Sequence, residues 1–379
     1  MKPKGILAVA LCVVGSALVL AQGDAPRLPT APANAAAPSV QAPADPGYAA
    51  LTGQCKTPPP ARGGRAGAAG ARGAAGAGAG AGGGARVAQP AGPRDYTVME
   101  IPGVIAAGQR WRFMWQEAGN TGDGIVGTND GSLLLAQNDN SKVLKLDGNG
   151  KTSVAFADTH TGGAVSISPK GATYIVERGL NQRVEQLTPQ RKVLASMYQG
   201  EPLDCIGGVI NDITADSKGG VYFTMGGVYR ASAKGVVTKY GENIGPNGIV
   251  LSANEKTLYV TNGPTLAAFD VQPDGSLTNQ REFVKLEGGG NGDGSTIDAA
   301  GRVYVTTNAG VQVISPEGKY LGIIPTPRGV ISTAFGGKDK KTLFILARGA
   351  KDANGEEVAN AAQVYGIQMI AQGYKGRAK

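Results

Sequence analysis

PNGIVLSANEKTLYVTN, residues 246–262, decides the fold. An Asn-Gly turn leads into the apolar run Ile249–Leu251. A polar turn follows, and then Leu258–Val260, a second short run of apolar and aromatic residues. Short β-favouring runs bounded by turn residues read as two antiparallel strands.

The same plan recurs along the chain: GDGIVGTNDGSLLLAQ from Gly122, GGAVSISPKGATYIVE from Gly162, NDITADSKGGVYFT from Asn211, GDGSTIDAAGRVYVTTN from Gly292 and ISTAFGGKDKKTLFILA from Ile331. With Asp123, Gly163, Asn211, Asn247, Asp293 and Thr333 as the leading positions, the spacings are 40, 48, 36, 46 and 40. A self-similar period of that length is one blade of a β-propeller. Third strands read SKVLKLD, QRVEQLT, GGVYRAS, TLAAFDV, AGVQVIS and VYGIQMI, several of them followed by an Asp-Gly or Pro-Glu-Gly turn and an outer strand. The sequence offers no convincing helix, which excludes an alternating α/β fold. A pair of β-sandwiches is the rival, and the regular repetition speaks against it. The expected fold is all-β, a six-bladed propeller of four-stranded antiparallel blades over residues 95–372. DYTVMEI, from Asp95, is expected to supply the outer strand of the last blade and so close the ring.

Residues 1–22 read as a signal peptide: Met1-Lys2-Pro3-Lys4 is basic, Ile6–Ala21 is apolar, and the exit is small. Residues 23–94, rich in Pro and Ala and then in Gly, Ala and Arg, carry too few large apolar groups to order themselves and read as a linker. Residues 373–379 read as a short basic tail. Export to the periplasm or the medium is expected, with no membrane-spanning segment after signal cleavage; the alternative is an uncleaved N-terminal anchor. The formal charge of +8 comes largely from the leader and linker, and from Leu51 to Arg94 the basic residues Lys56, Arg62, Arg65, Arg72, Arg86 and Arg94 are accompanied by no acidic residue. Without interleaved aromatics this is a charged spacer, and no nucleic-acid partner is expected. A monomer is assumed. Cys55 and Cys205 outlast cleavage, and export permits a disulfide between them without requiring one.

In a propeller the starts of the innermost strands converge on one mouth of the central channel. Those starts carry Asp123, Asn211 with Asp212, Asn247 and Asp293. Two carboxylates and two amide oxygens from four blades form a candidate cation site, suited to calcium first and then to magnesium, manganese or zinc. Each is equally a residue that caps its own turn. His160, in DTHTGG, is a candidate for proton transfer or substrate contact at the mouth, or else a solvated loop residue. Cys205 lacks a partner base, so burial or a disulfide is expected of it. Arg178 is expected to link neighbouring blades. Trp111 and Trp115 are expected to pack over the closure, unless Trp115 walls the pocket.

Over Gly122–Met369 the chain resembles the regucalcin, gluconolactonase and luciferin-regenerating-enzyme-like (SMP-30-like) propellers. PNGIVLSANEKTLYVTN, NDITADSKGGVYFT, GDGSTIDAAGRVYVTT, GKYLGIIPTP and TAFGGKDKKTLFILA carry the resemblance. It implies one divalent cation in the channel and hydrolysis of a small lactone or related cyclic ester. Carried over, Asn247 and Asp293 are metal ligands, Asn211 is a ligand or substrate contact, and Asp123 stands where the family has Glu. Glu117 is an alternative for that place. Asp293 is the implied catalytic base, with Asn211, Asp212 and His160 towards the substrate. Val209-Ile210 stands where an Arg-Pro often engages an acidic sugar, which weakens a specific reading as a gluconolactonase. The alternative is a non-catalytic propeller that binds a small molecule or a protein around a structural cation. A quinone-dependent propeller would need basic residues about its cofactor, and these channel positions are acidic or amide.

Overall fold

The computed structural model describes residues 47–57, 59, 95–119 and 122–379. The proposed signal peptide and most of the proposed linker lie outside the described residues.

Six four-stranded antiparallel sheets are arranged as blades. Blade one comprises Ile125–Gly127, Leu133–Gln137, Lys142–Leu146 and Thr152–Phe156. Blade two comprises Gly162–Ile167, Thr173–Glu177, Arg183–Gln186 and Lys192–Ala195. Blades three, four and five open with Ile213–Ala215, Pro246–Leu251 and Ser295–Ile297. Blade six runs Val330–Gly336, Thr342–Lys351 and Glu357–Gln368, and takes its outer strand from Arg112–Ala118. Each blade is a meander whose consecutive strands are joined by short connections, most of them tight turns that contain Asp or Gly. Asp216 is typical: its carboxylate accepts from the N–H groups of Lys218 (2.9 Å) and Gly220 (2.7 Å).

The ring closes as expected in kind but through a different segment. RFMWQEA pairs with the third strand of blade six, from Arg112 opposite Gly366 to Ala118 opposite Ala361. DYTVMEI forms no outer strand. Val98, Ile101, Val104 and Ile105 are instead buried against Tyr304, Val311, Ile324 and Val330 of blades five and six. Alternation of apolar residues suits both stretches. Only Arg112–Ala118 lies close enough in sequence to Ile125 to hand the chain directly to the next inner strand. Trp111 is buried beside this closure and donates from Nε1 to Pro325 O at 2.7 Å, while Trp115, on the closing strand, packs against the apolar cluster shared by blades six and one.

Hydrogen bonds between blades fix the equivalence of the inner strands. Thr224 Oγ1 donates to Asn247 O (2.6 Å), Thr261 Oγ1 to Asp293 O (3.2 Å) and Thr306 Oγ1 to Ile331 O (3.2 Å). The sixth leading position is therefore Ile331, two residues before the expected Thr333.

Inside the expected linker, Tyr48–Thr52 forms a short helix held to the body by a disulfide from Cys55 to Cys205. Lys56 Nζ donates to Gln199 O at 3.0 Å beside it. A segment too poor in apolar residues to order itself is ordered here by its covalent anchor. No helix among the described residues is long and apolar enough to cross a membrane.

Candidate functional site

Asp123, Asn211, Asp212, Asn247 and Asp293 all line one narrow depression at the mouth of the channel, together with Gly124, Ala164, Ser332 and the side chain of Lys379. The repeat places them there, since each sits at or next to the start of an inner strand. His160 and Glu117 do not line it. Glu117 lies on the outer strand of blade six and accepts from Gln137 Nε2.

A residue that the repeat positions do not reveal organises the mouth. Arg178, 7% exposed, follows the second strand of blade two. Its Nε donates to Ile210 O (2.9 Å) and its Nη2 to Asn211 O (2.8 Å), so it does link blades two and three. The same Nη2 also reaches Asn211 Oδ1 (2.5 Å) and forms an ion pair with Asp123 Oδ2. Asn138 Oδ1 accepts from Nη1 at 3.1 Å in the amide orientation that its neighbours require. Space for the guanidinium comes from Gly163, the leading residue of blade two, where a Cβ would lie 2.2 Å from Arg178 Cζ. The sequence signal was present in that glycine: the one bare leading position admits a long side chain from the adjoining strand.

The rest of the mouth is equally committed. Asn211 Nδ2 donates to Asn247 Oδ1. Asp212 accepts from Ile249 N across the blade boundary (3.0 Å) and pairs with the Lys379 ammonium. Asp293, its side chain 18% exposed, lies 3.5 Å from the guanidinium of Arg348, itself 35% exposed.

This geometry overturns the expected divalent cation, whether calcium, magnesium, manganese or zinc. Among the described residues no group of three or more His, Cys, Asp and Glu side chains could hold a metal ion. Of the four expected ligands, two are amides engaged with one another, and both carboxylates face an arginine. Repeat position located the oxygens, but it could not report the cations that arrive from non-equivalent positions.

His160 belongs to a separate cluster above blade two. Its Nδ1 lies 3.1 Å from Glu177 Oε2 and 2.8 Å from Arg183 Nη2, while Arg183 Nε donates to Glu177 Oε2 at 2.6 Å. Loss of hydration, then the charge of Arg183, hold the imidazole below its ordinary value. Burial first, then the carboxyl of Glu185, push Glu177 up to about 8. Between the ordinary carboxyl range and pH 8 the folded chain thus keeps a proton that the unfolded chain releases. The contribution of this group to stability falls as pH rises through that window. Glu177→Gln is expected to flatten the decline of melting temperature between pH 5 and pH 8 relative to the unaltered chain. Two parallel melting profiles would refute this.

A family model of the SMP-30/gluconolactonase/LRE-like region matches residues 121–348. The chain belongs to that family, and the resemblance seen in its repeats is thereby confirmed. Among curated relatives it is 26% identical over 216 residues to a gluconolactonase of Zymomonas mobilis, covering 48% of this chain and 60% of that one. It is 24% identical over 222 residues to the lactonohydrolase oryL of Aspergillus oryzae, covering 47% and 50% respectively. It is 30% identical over 234 residues to the lactonase drp35 of Staphylococcus haemolyticus, covering 54% and 69%. The chain thus spans only 60% and 50% of the length of the first two. Among solved structures, a gluconolactonase from Xanthomonas campestris superposes with a TM-score of 0.60 at 21% identity, covering 74% of this chain and 99% of that one. A luciferin-regenerating enzyme superposes with a TM-score of 0.58 at 17% identity, covering 71% and 98%. At these identities the structures speak for the fold alone.

Proposed function

We propose that the channel mouth hydrolyses a lactone or related cyclic ester. The observation that carries this reading is the convergence of Asp123, Asn211, Asp212, Asn247 and Asp293, from four blades, on one depression; kinship with lactonases supports it.

Asp293 is the base. It takes a proton from water as the water oxygen bonds to the lactone carbonyl carbon. The carbonyl oxygen becomes an oxyanion and is met by the Nδ2 hydrogens of Asn247, whose Oδ1 is held by Asn211. The intermediate collapses with rupture of the ring C–O bond, and the leaving alkoxide recovers the proton from Asp293 to give the open hydroxy acid. Arg178 positions Asn211 and Asp123 without touching substrate. Arg348, beside Asp293, offers positive charge at the rim that Val209-Ile210 does not.

The site of action proposed is the periplasm or the medium. The Cys55–Cys205 disulfide favours an oxidising compartment.

A panel of aldono- and aliphatic lactones, followed by titration of the acid released, tests the function. Turnover of at least one member well above the buffer rate is expected. No turnover across the panel would leave a binding channel, a reading favoured by the mutual saturation of Asp123 and Arg178.

A further inference from the structure

The segment after the last blade strand reads in the sequence as a short basic tail, and its residues are gripped by the propeller. Ala299 N donates to Gln372 O (2.8 Å) and Gly373 N to Lys340 O (2.8 Å). Ala378 forms an antiparallel bridge with Ile167, both hydrogen bonds at 3.0 Å. Arg377, its side chain 1% exposed, donates to Leu251 O (2.6 Å) and Ser252 O (3.0 Å) and pairs with Glu255 at 3.2 Å. Thr214 Oγ1 donates to Lys379 O at 2.8 Å. Blades two to six all hold this segment. They do so near the trailing ends of their inner strands, at the end of the channel opposite the mouth.

From that anchor the side chain of Lys379, 4% exposed, runs along the axis and reaches Asp212, so that its ammonium lines the same depression as Asp123, Asn211, Asn247 and Asp293. A buried ammonium is tolerated only when it is paired. The pairing is complete in this channel: Asp123 faces Arg178, Asp293 faces Arg348 and Asp212 faces Lys379. Each of the three carboxylates faces a cation of the chain itself, so the mouth offers a divalent ion no uncompensated negative charge.

We propose that Tyr374–Lys379 is a built-in plug and that the Lys379 ammonium is the resident cation of the channel, a tethered charge in the axial place where the resemblance implied a metal ion. The plug is a property of the folded chain and stands apart from whether the mouth turns over a lactone.

Calorimetric titration of the chelator-treated full chain with calcium, magnesium, manganese and zinc in turn, together with thermal unfolding, tests this. No stoichiometric binding is expected, and saturating ion should move the melting temperature by less than about 1 °C. Lys379→Met, which leaves the Asp212 carboxylate without its ammonium, should melt roughly 5–10 °C lower. Lys379→Arg, which keeps the charge, should recover at least about half of that fall. One equivalent of divalent ion bound by the unaltered chain and lost in Asp293→Asn would overturn the proposal. So would a Lys379→Met variant that melts like the unaltered chain. Should Lys379→Met fail to fold, the ion titration and Lys379→Arg decide, and an arginine variant no more stable than an unfolded methionine variant counts against the proposal.

Discussion

Asp293→Asn is expected to lower kcat/KM for whichever lactone the chain hydrolyses by about 10²–10⁴-fold, the usual contribution of a positioned general base. The substitution keeps the size and the hydrogen-bonding outline of the side chain and removes only its basicity. Its cost in stability should be small, because the partner Arg348 lies 3.5 Å away and is 35% exposed. Pairs that open to water contribute on the order of 1 kcal/mol or less. The diagnostic result is therefore lost turnover with a nearly unchanged melting temperature. The pH profile supplies a second criterion. A carboxylate base must be ionised to act, so activity of the unaltered chain falls on the acid side, and the residual activity of the variant should lose that limb. A variant with full activity would remove Asp293 from the mechanism. Full activity would also move the chemistry away from the mouth, since no other carboxylate there is as open. Asp123 is held by Arg178, and Asp212 by Lys379 and the N–H of Ile249.

The propeller was legible because its blades repeat. A turn, an inner strand, a second turn and a β-branched second strand recur with enough regularity to place the inner strands and, through them, four side chains at one mouth. What failed to show were features that break the repeat. Arg178 fills the space of a missing Cβ at Gly163, a contact between residues on adjacent strands and at non-equivalent positions. The segment Tyr374–Lys379 has no strand periodicity and, beyond Tyr374 and Ala378, no apolar content, so its docking depends largely on hydrogen bonds with groups that only the assembled ring brings together. The closing strand was assigned to the wrong one of two alternating stretches, because alternation reports a buried face without saying what covers it. The shift from Thr333 to Ile331 has a similar origin: the apolar runs of the last repeat point to Thr333, while the hydroxyl of Thr306 identifies Ile331 as the equivalent. The metal expectation failed for a related reason. Oxygen-bearing side chains at repeat positions define where negative charge gathers, and the balancing charge came from Arg178, Arg348 and Lys379, none of which occupies a repeat position.

Arg178→Met should destabilise the fold by about 3–5 kcal/mol, the range found when one partner of a buried ion pair is removed. Methionine follows much of the path of the arginine stem, so the loss isolates the guanidinium. That group holds Asp123 on one side and the carbonyls of Ile210 and Asn211 on the other. Neutralising the carboxylate as well separates these two parts. In Asp123→Asn/Arg178→Met the buried charge is gone, and the pair is expected to be less damaging than the sum of its single changes by about 1–3 kcal/mol. Denaturant unfolding of the four proteins of that cycle measures the coupling. A single variant costing less than about 1 kcal/mol would place the guanidinium in water rather than in the mouth. Turnover answers a different question from stability. Asn211 takes its orientation from Arg178 and passes it to Asn247. The double variant should therefore regain part of its stability without regaining turnover, because removing the Asp123 charge does nothing to aim the two amides. Recovery of both together would mean that Arg178 serves only to neutralise Asp123, and that the amide pair finds its geometry unaided.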